Sequence, residues 1–310
     1  MSYAYLLAGE NIELAKAELE GFLTATDNPK DLEMKNRLAI TDSEPSQLKR
    51  LALVHEVSEI IKKGNIDGFE TDYRPENSFE VRAVSIGDEE HEVAEWQEEV
   101  GEELSNSDNS VDLERPDERI RIYLSDGEYV LGKLVEDIDR GLFDKRKNQE
   151  RPFSSPISLD PSTARLLVNL SEVSAGEHIL DPFCGTGGIL IEAGLCGIGV
   201  HGLDIQEEMV KGAKENLEAY GIIKHDIQQG DVRETSKIFE QDFDAVVADL
   251  PYGKASKIEN NPAEDFLDVV SELNNGKTVF MYNEPELNGF KPEFEIYIHK
   301  NLTRYIYVLD

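Results

Sequence analysis

Residues 3–8 (YAYLLA) form a short apolar run that predicts a strand. Asn11 then precedes Ile12, Ala15 and Leu19, which recur at helical spacing and predict a helix capped by Asn11. Pro45 and Ser46 open a run with Leu48, Leu51, Leu53 and Val54, and with Val57, Ile60 and Ile61 beyond, read as a second helix. Residues 79–86 (FEVRAVSI) alternate as a strand. Val93, Trp96, Val100 and Leu104 step by three and four, which predicts an amphipathic helix over about 89–104, followed by a polar loop (SNSDNS). RIRIYL (119–124) and EYVLGKL (128–134) flank Ser125-Asp126-Gly127, a hairpin signal. The first half is therefore expected to be α+β.

The rhythm changes after PFSSP (152–156), a Pro/Ser punctuation taken as the boundary between a domain of residues 1–150 and one of residues 151–310. Short apolar strands now alternate with helices. HILDPF (178–183) leads to a helix near 187–196, GVHGLDI (199–205) to a helix over about 206–220, and HDIQQGD (225–231) to a short helix. FDAVVADLPYG (243–253) precedes a helix across 262–274 and then KTVFMY (277–282). Such βαβ alternation predicts a doubly wound, mostly parallel sheet covered on both faces. The last stretch, 294–310, breaks the pattern with two β-rich runs and predicts a terminal antiparallel hairpin.

At 310 residues, 39% of them hydrophobic, the chain is long enough for two packed cores. No apolar run reaches the ~18–20 residues of a membrane span, so no membrane role is expected. The first 22 residues carry Glu10, Glu13, Glu18 and Glu20, unlike a secretory leader, so a cytoplasmic setting is expected. Cys184 and Cys196 exclude a disulfide framework, the six histidines show no ligand spacing, and no metal is expected.

Charge changes the picture most. Against 31 Lys and Arg stand 64 Asp and Glu, a net of −33. The excess is spread, −19 over residues 1–150 and −14 over 151–310, so it is no acidic tail. In dilute buffer it opposes a nucleic-acid partner. In molar salt the Debye length falls to ~3 Å, and an acidic surface then serves hydration, as expected of a halophile's protein. One stretch runs the other way. Residues 140–151 carry Arg140, Lys145, Arg146, Lys147 and Arg151 against Asp144 and Glu150, a net of +3, read either as an interdomain linker or as a phosphate-binding patch.

Four signals fall on successive strand ends. DPFCGTGG (181–188) is a strand–glycine turn–helix junction. It is read as a plain tight turn, as an incomplete dinucleotide fingerprint, or as the seat of a cationic ligand that Asp181 would attract. Asp204 ends the next strand, either as a helix cap or as a ribose acceptor. Asp231 follows Gly230, either as a turn residue or as an acceptor for an adenine amine. Asp249, Leu250, Pro251, Tyr252 and Gly253 follow an apolar strand. They are read either as a surface turn or as a grip on a planar base. In the second reading Tyr252 stacks on the base, while the Asp249 carboxylate and the Leu250 carbonyl accept from its exocyclic amine. Cys184 beside the turn is expected to be a small buried residue, because no second cysteine motif supports a nucleophile.

The layout with a terminal hairpin resembles class I methyltransferases, and DPFCGTGG with Asp-Leu-Pro-Tyr-Gly resembles their amino-methylating members. Residues 131–161 (LGKLVEDIDRGLFDKRKNQERPFSSPISLDP) are similar to the interdomain join of the archaeal tRNA guanosine-10 N2-methyltransferases. The resemblance implies an N-terminal ferredoxin-like segment and THUMP RNA-binding domain ahead of the catalytic domain. It implies S-adenosyl-L-methionine as cofactor, held around Asp181, Phe183, Gly185, Thr186 and Gly187, with Asp204 and Ile205 at the ribose and Asp231 and Val232 at the adenine. Asp249, Leu250, Pro251 and Tyr252 would hold a guanine in tRNA, and the amine would receive one methyl group or two. The family has proline where this chain has Leu250. Other expectations are a monomer, with another tRNA or ribosomal guanosine, a DNA adenine, or a non-catalytic RNA-binding role as alternatives.

Overall fold

The computed structural model describes residues 1–28, 31–87, 91–156, 158–251, 262–273, 276–299 and 302–310. The chain divides into two compact units. One comprises Met1–Lys16, Asn28–Lys49 and Leu53–Asp139, and the other Ala17–Asp27, Arg50–Ala52 and Arg140–Asp310.

The first unit is built on one eight-stranded sheet. Its strands are β1 (Tyr3–Leu7), β2 (Glu33–Lys35), β3 (Leu38–Thr41), β4 (Val54–Asn65), β5 (Ser78–Ser85), β6 (Ser110–Val111), β7 (Glu118–Ser125) and β8 (Glu128–Asp137), in the order β2-β3-β1-β4-β8-β7-β5-β6. Helix α1 (Ile12–Ala25) starts where expected, with Asn11 Oδ1 accepting from the Leu14 amide. Helix α2 (Val93–Leu104) buries Val100 and Leu104 against Phe79, Ile120 and Ile122 of the sheet. β7 and β8 close through Asp126 and Gly127, both at positive φ (49° and 77°), the geometry of a two-residue hairpin turn.

One predicted element changes type. The helix expected from Pro45-Ser46 through Ile61 is a short 3₁₀ turn (Leu48–Arg50) followed by the twelve-residue strand β4. β4 pairs with β1 on one side and β8 on the other, and register shifts at Val57/Ser58 and Ile60/Lys62 break its period-two alternation. Such a run mimics helical spacing, and the β-branched Val54, Val57, Ile60 and Ile61 favour the strand.

The second unit carries a seven-stranded sheet covered by helices. Its elements are α3 (Pro161–Leu170), β9 (His178–Asp181), α4 (Gly188–Gly194), β10 (Gly199–Asp204), α5 (Glu207–Ala219), β11 (His225–Gln229), α6 (Thr235–Ile238), β12 (Ala245–Asp249), α7 (Pro262–Leu273), β13 (Thr278–Tyr282), β14 (Phe294–His299) and β15 (Leu302–Leu309). The strand order is β11-β10-β9-β12-β13-β15-β14. The first five are parallel, and β15 pairs antiparallel with both β13 and β14. The order reverses between β9 and β12, and ligands of open α/β sheets bind beyond the strand ends at such a switch point.

The central strands read as apolar runs because both faces are covered. Val246, Ala248, Phe280 and Tyr307 are fully buried, with Phe280 stacked flat on Tyr307 at 4.7 Å between ring centres. Within the second unit a buried polar knot joins the 17–27 and 50–52 segments to α3. Asn169 donates to Glu18, Glu18 accepts from the Ala52 amide, and Arg50 Nε donates to Asn169 Oδ1 at 2.7 Å. On the opposite flank Phe153 lies over Gly212 of α5, so close that a side-chain carbon there would sit 2.0 Å from the ring. Asn216, fully buried, holds that arrangement. Its Oδ1 accepts from the Phe153 amide, and its Nδ2 donates to the carbonyls of Phe153 and Thr186, each at 2.9 Å.

Candidate active site at the strand switch point

A cavity of about 490 Å³ opens at the C-terminal edge of the second sheet. It is lined by Asp181, Phe183, Gly185, Thr186, Asp204, Ile205, Asp231, Val232, Asp249, Leu250 and Pro251 among the residues expected from the sequence. Gly187 lies one residue from the lining Gly188 and starts α4 at φ 80°. Gly185 turns at φ 50°, and a side chain at either glycine would be strained.

The acids differ in their partners. Asp181 is buried and takes one hydrogen bond, from the Phe183 amide at 3.0 Å. Burial, with the nearby charges of Asp249 and Asp204, pushes its carboxyl well above the ordinary aspartate range, and the Phe183 hydrogen bond opposes the shift. Asp204 accepts from the amides of Gly185 (3.0 Å) and Gln206 (2.8 Å), so the strand-end cap is real. Each of its oxygens keeps a second lone pair for a sugar hydroxyl. Burial raises Asp204 as well. Asp231 is gripped at both oxygens by Arg233 (2.9 and 2.7 Å), whose hydrogen bonds lower its pKa.

Asp249 ends β12 and receives Arg304 of β15 on Oδ1. Burial raises its carboxyl, and Arg304 opposes that shift. Leu250 accounts for the departure from proline. Its side chain is fully buried beside Val232 and Phe266, and its amide donates to the Met281 carbonyl at 3.0 Å, a bond that a proline lacks. Tyr252 lies outside the described residues. Cys184 is buried with its thiol pushed up by desolvation, which disfavours the thiolate a nucleophile needs.

The basic stretch splits. Arg146 donates to both oxygens of the fully buried Glu192, at 2.6 and 3.0 Å. Arg151 is 5% exposed, giving Nε to the Arg146 carbonyl and Nη1 to Ser158. Its Nη2 meets no acceptor among the described residues. Lys145 is exposed, Lys147 pairs with Asp144 at 2.6 Å, and Arg140 is half-buried. Sequence reasoning missed Ser155, Ser158, Gln206, Met209 and Asp265 on the cavity wall, and Arg304 behind it. The signal for Arg304 was present: it shares a strand face with Ile306 and Val308, where a lone charge asks for a buried partner.

The donor set fits S-adenosyl-L-methionine. Among the described residues no cation pairs with Asp181 or Asp204, which suits a positively charged ligand with a ribose. The orphaned Nη2 of Arg151 lies against Gly188, which lines the cavity, and suits a ligand carboxylate. A parallel sheet with a terminal antiparallel pair, a glycine turn after its first strand and an acid at the end of its fourth define a class I methyltransferase.

The comparisons narrow this further. The RMKL-like methyltransferase domain family matches residues 148–284. A tRNA (guanine(10)-N2)-dimethyltransferase of Methanothermobacter thermautotrophicus is 34% identical, over 100% of this chain and 99% of its own. The enzyme of the same name from Pyrococcus abyssi is 32% identical, over 96% of both chains. Among solved structures, TrmN from Thermus thermophilus shares the fold, with a TM-score of 0.56 and 21% identity over 99% of both chains. The chain belongs to the tRNA (guanine(10)-N2)-dimethyltransferase family.

Proposed function

We propose that this protein methylates the exocyclic N2 of guanosine at position 10 of tRNA, once or twice, using S-adenosyl-L-methionine, in the cytoplasm. The observation that carries the reading is that Asp181 and Asp249 end the strands on either side of the switch point and line one cavity. Bound S-adenosyl-L-methionine supplies an electrophilic methyl group on a sulfonium that is already a good leaving group.

The chain's own residues then have to aim an amine. The Asp249 carboxylate and the Leu250 carbonyl accept the two N–H bonds of guanine N2, which turns the nitrogen lone pair toward the methyl group. As the new N–C bond forms, the amine sheds a proton, and Asp249 is placed to receive it. Tyr252 is assigned the face of the base from its place in the sequence. A paired guanine must first leave its stack, at a cost of a few kcal/mol, and stacking on an aromatic ring returns ~1–3 kcal/mol.

Asp181 faces the sulfonium side, Asp204 and Ile205 the ribose, and Asp231 and Val232 the adenine. Arg151 takes the carboxylate end. Arg140, Lys145 and Lys147 are assigned to phosphates, and the first unit is assigned the THUMP-type recognition of tRNA shape.

The test is incubation with labelled cofactor and unmodified tRNA in molar salt, followed by nucleoside analysis and mapping. Label in N2-methylguanosine or N2,N2-dimethylguanosine at position 10 is the expected result. Label at another guanosine, in ribosomal RNA or in DNA adenine overturns the assignment.

A further inference from the structure

We propose that Arg304, on the last strand of the sheet, is the positioning residue for the amine-binding carboxylate of Asp249. This rests on the methyl-transfer reading above and deepens it.

The register sets up the contact. Asp249 of β12 is the partner of Met281 on β13, and Met281 is the partner of Ile306 on β15. Arg304 precedes Ile306 by two residues, so it projects from the same face of the sheet. β15 runs antiparallel to β13, which puts Arg304 one pleat nearer the ligand edge than Ile306. Two strand spacings, about 9–10 Å, separate it from β12, and the long arginine side chain closes that gap onto Asp249 Oδ1. A shorter cation could not reach as well. The terminal antiparallel pair therefore does more than complete the sheet: it delivers a charge to the catalytic strand end.

That charge is needed there. The groups facing Asp249 are Arg304 from β15 and Asp181 from β9, with Asp204 beyond Asp181. Five carboxylates, Asp181, Asp204, Asp231, Asp249 and Asp265, line one cavity in a chain of net charge −33, and Arg304, 4% exposed, is the cation that touches Asp249. A protonated Asp249 would offer a hydroxyl where the amine needs an acceptor. Burial favours that protonated form, and the buried guanidinium opposes it. With Oδ1 taken by Arg304, the rotamer is fixed. Among the described residues Oδ2 accepts no hydrogen bond and remains for guanine N2.

The experiment compares the full-length wild type with Arg304→Gln, Arg304→Lys, Asp249→Asn and the Arg304→Gln/Asp249→Asn pair, all in molar salt. Single-turnover transfer is followed against pH, with cofactor affinity measured by calorimetry. The expected Arg304→Gln result is a fall of about 10–100-fold in rate at neutral pH, with the acid limb moved up by about one unit or more. Cofactor affinity should hold within about threefold. Arg304→Lys should recover part of the rate, and Arg304→Gln should add nothing in the Asp249→Asn background.

Should Arg304→Gln fail to fold, the equally uncharged Arg304→Met serves in its place. An acid limb in the uncharged variant identical to wild type, or additive losses in the double variant, overturns the proposal. The two readings fail separately. A wild type that methylates no RNA sinks the function, whereas carbon NMR titration of the Asp249 carboxyl in wild type and variant tests the pairing without turnover.

Discussion

Arg146 closes a two-point ion pair on Glu192, the only fully buried carboxylate that α4 contributes, and Arg165 of α3 meets the same carboxylate at 2.8 Å. Removing the acid leaves two guanidinium groups facing each other in the interior. Glu192→Ala should cost about 3–5 kcal/mol of stability. Urea unfolding in molar salt measures it, and a loss under 1 kcal/mol would mean that the arginines find other partners.

The same pair bears on RNA binding. Lys145→Gln and Lys147→Gln should each lower the salt slope of tRNA affinity by about one, weakening binding alike for all tRNAs. Arg146→Gln should instead lower the unfolding midpoint and leave the slope unchanged. Filter binding across a salt series distinguishes the two, and an unchanged slope for both lysine variants would remove residues 140–151 from the phosphate contacts.

Asp249→Ala should reduce transfer by about 10²–10⁴-fold while calorimetry still shows the cofactor bound. Retained turnover would refute the role of the β12 end. Arg151→Gln should show the converse, weaker cofactor binding with the chemical step kept at saturating cofactor.

Asp181 makes cofactor binding a proton-linked event. Its folded pKa is raised by burial, so between the ordinary aspartate value and that raised value the free protein keeps a proton there that the unfolded chain loses. This acid therefore opposes folding increasingly as pH rises from the ordinary aspartate value, ~3.9, through its raised folded value. A cation bound beside it favours the ionised form, so binding should release a proton and tighten with rising pH across that window. Calorimetry in buffers of different ionisation heat measures the release. Asp181→Asn should abolish it, and wild-type binding without release would place the sulfonium elsewhere.

A net charge of −33 predicts one more behaviour. At 0.01 M salt the screening length is ~30 Å and like charges repel across the whole molecule. The protein should unfold on dialysis to low salt and regain helix signal on return to molar salt. Full activity in dilute buffer would show that the acidic surface is tolerated without screening.

The catalytic half was legible because its chemistry and its folding use the same places. Three of the parallel strands, β9, β10 and β12, end in a residue that faces the cavity: Asp181, Asp204 and Asp249. The glycine turn was readable for the same reason, since φ 50° and 80° exclude most side chains. β4 was misread because irregularities in its register at Val57/Ser58 and Ile60/Lys62 break the alternation that marks half-buried strands and leave Val54, Val57, Ile60 and Ile61 at helix-like spacing. Arg304 was missed because, although a lone charge beside Ile306 and Val308 asks for a buried partner, that partner lies 55 residues earlier and the sequence does not say which acid it is. Arg146 and Arg151 were counted as a basic patch because a sequence gives a charge and not its direction. Both turn inward, onto Glu192 and Ser158.

Asn216 sets a limit on how far such a chain can be acidified. Its amide presents one acceptor and two donors to three backbone groups around the glycine turn. Aspartate has the same outline, but it would bring a second negative pole against two carbonyl oxygens. The acids spread over the exterior can multiply almost without consequence for shape. Here, one atom exchanged for another of similar size would set the wall of the cavity against itself.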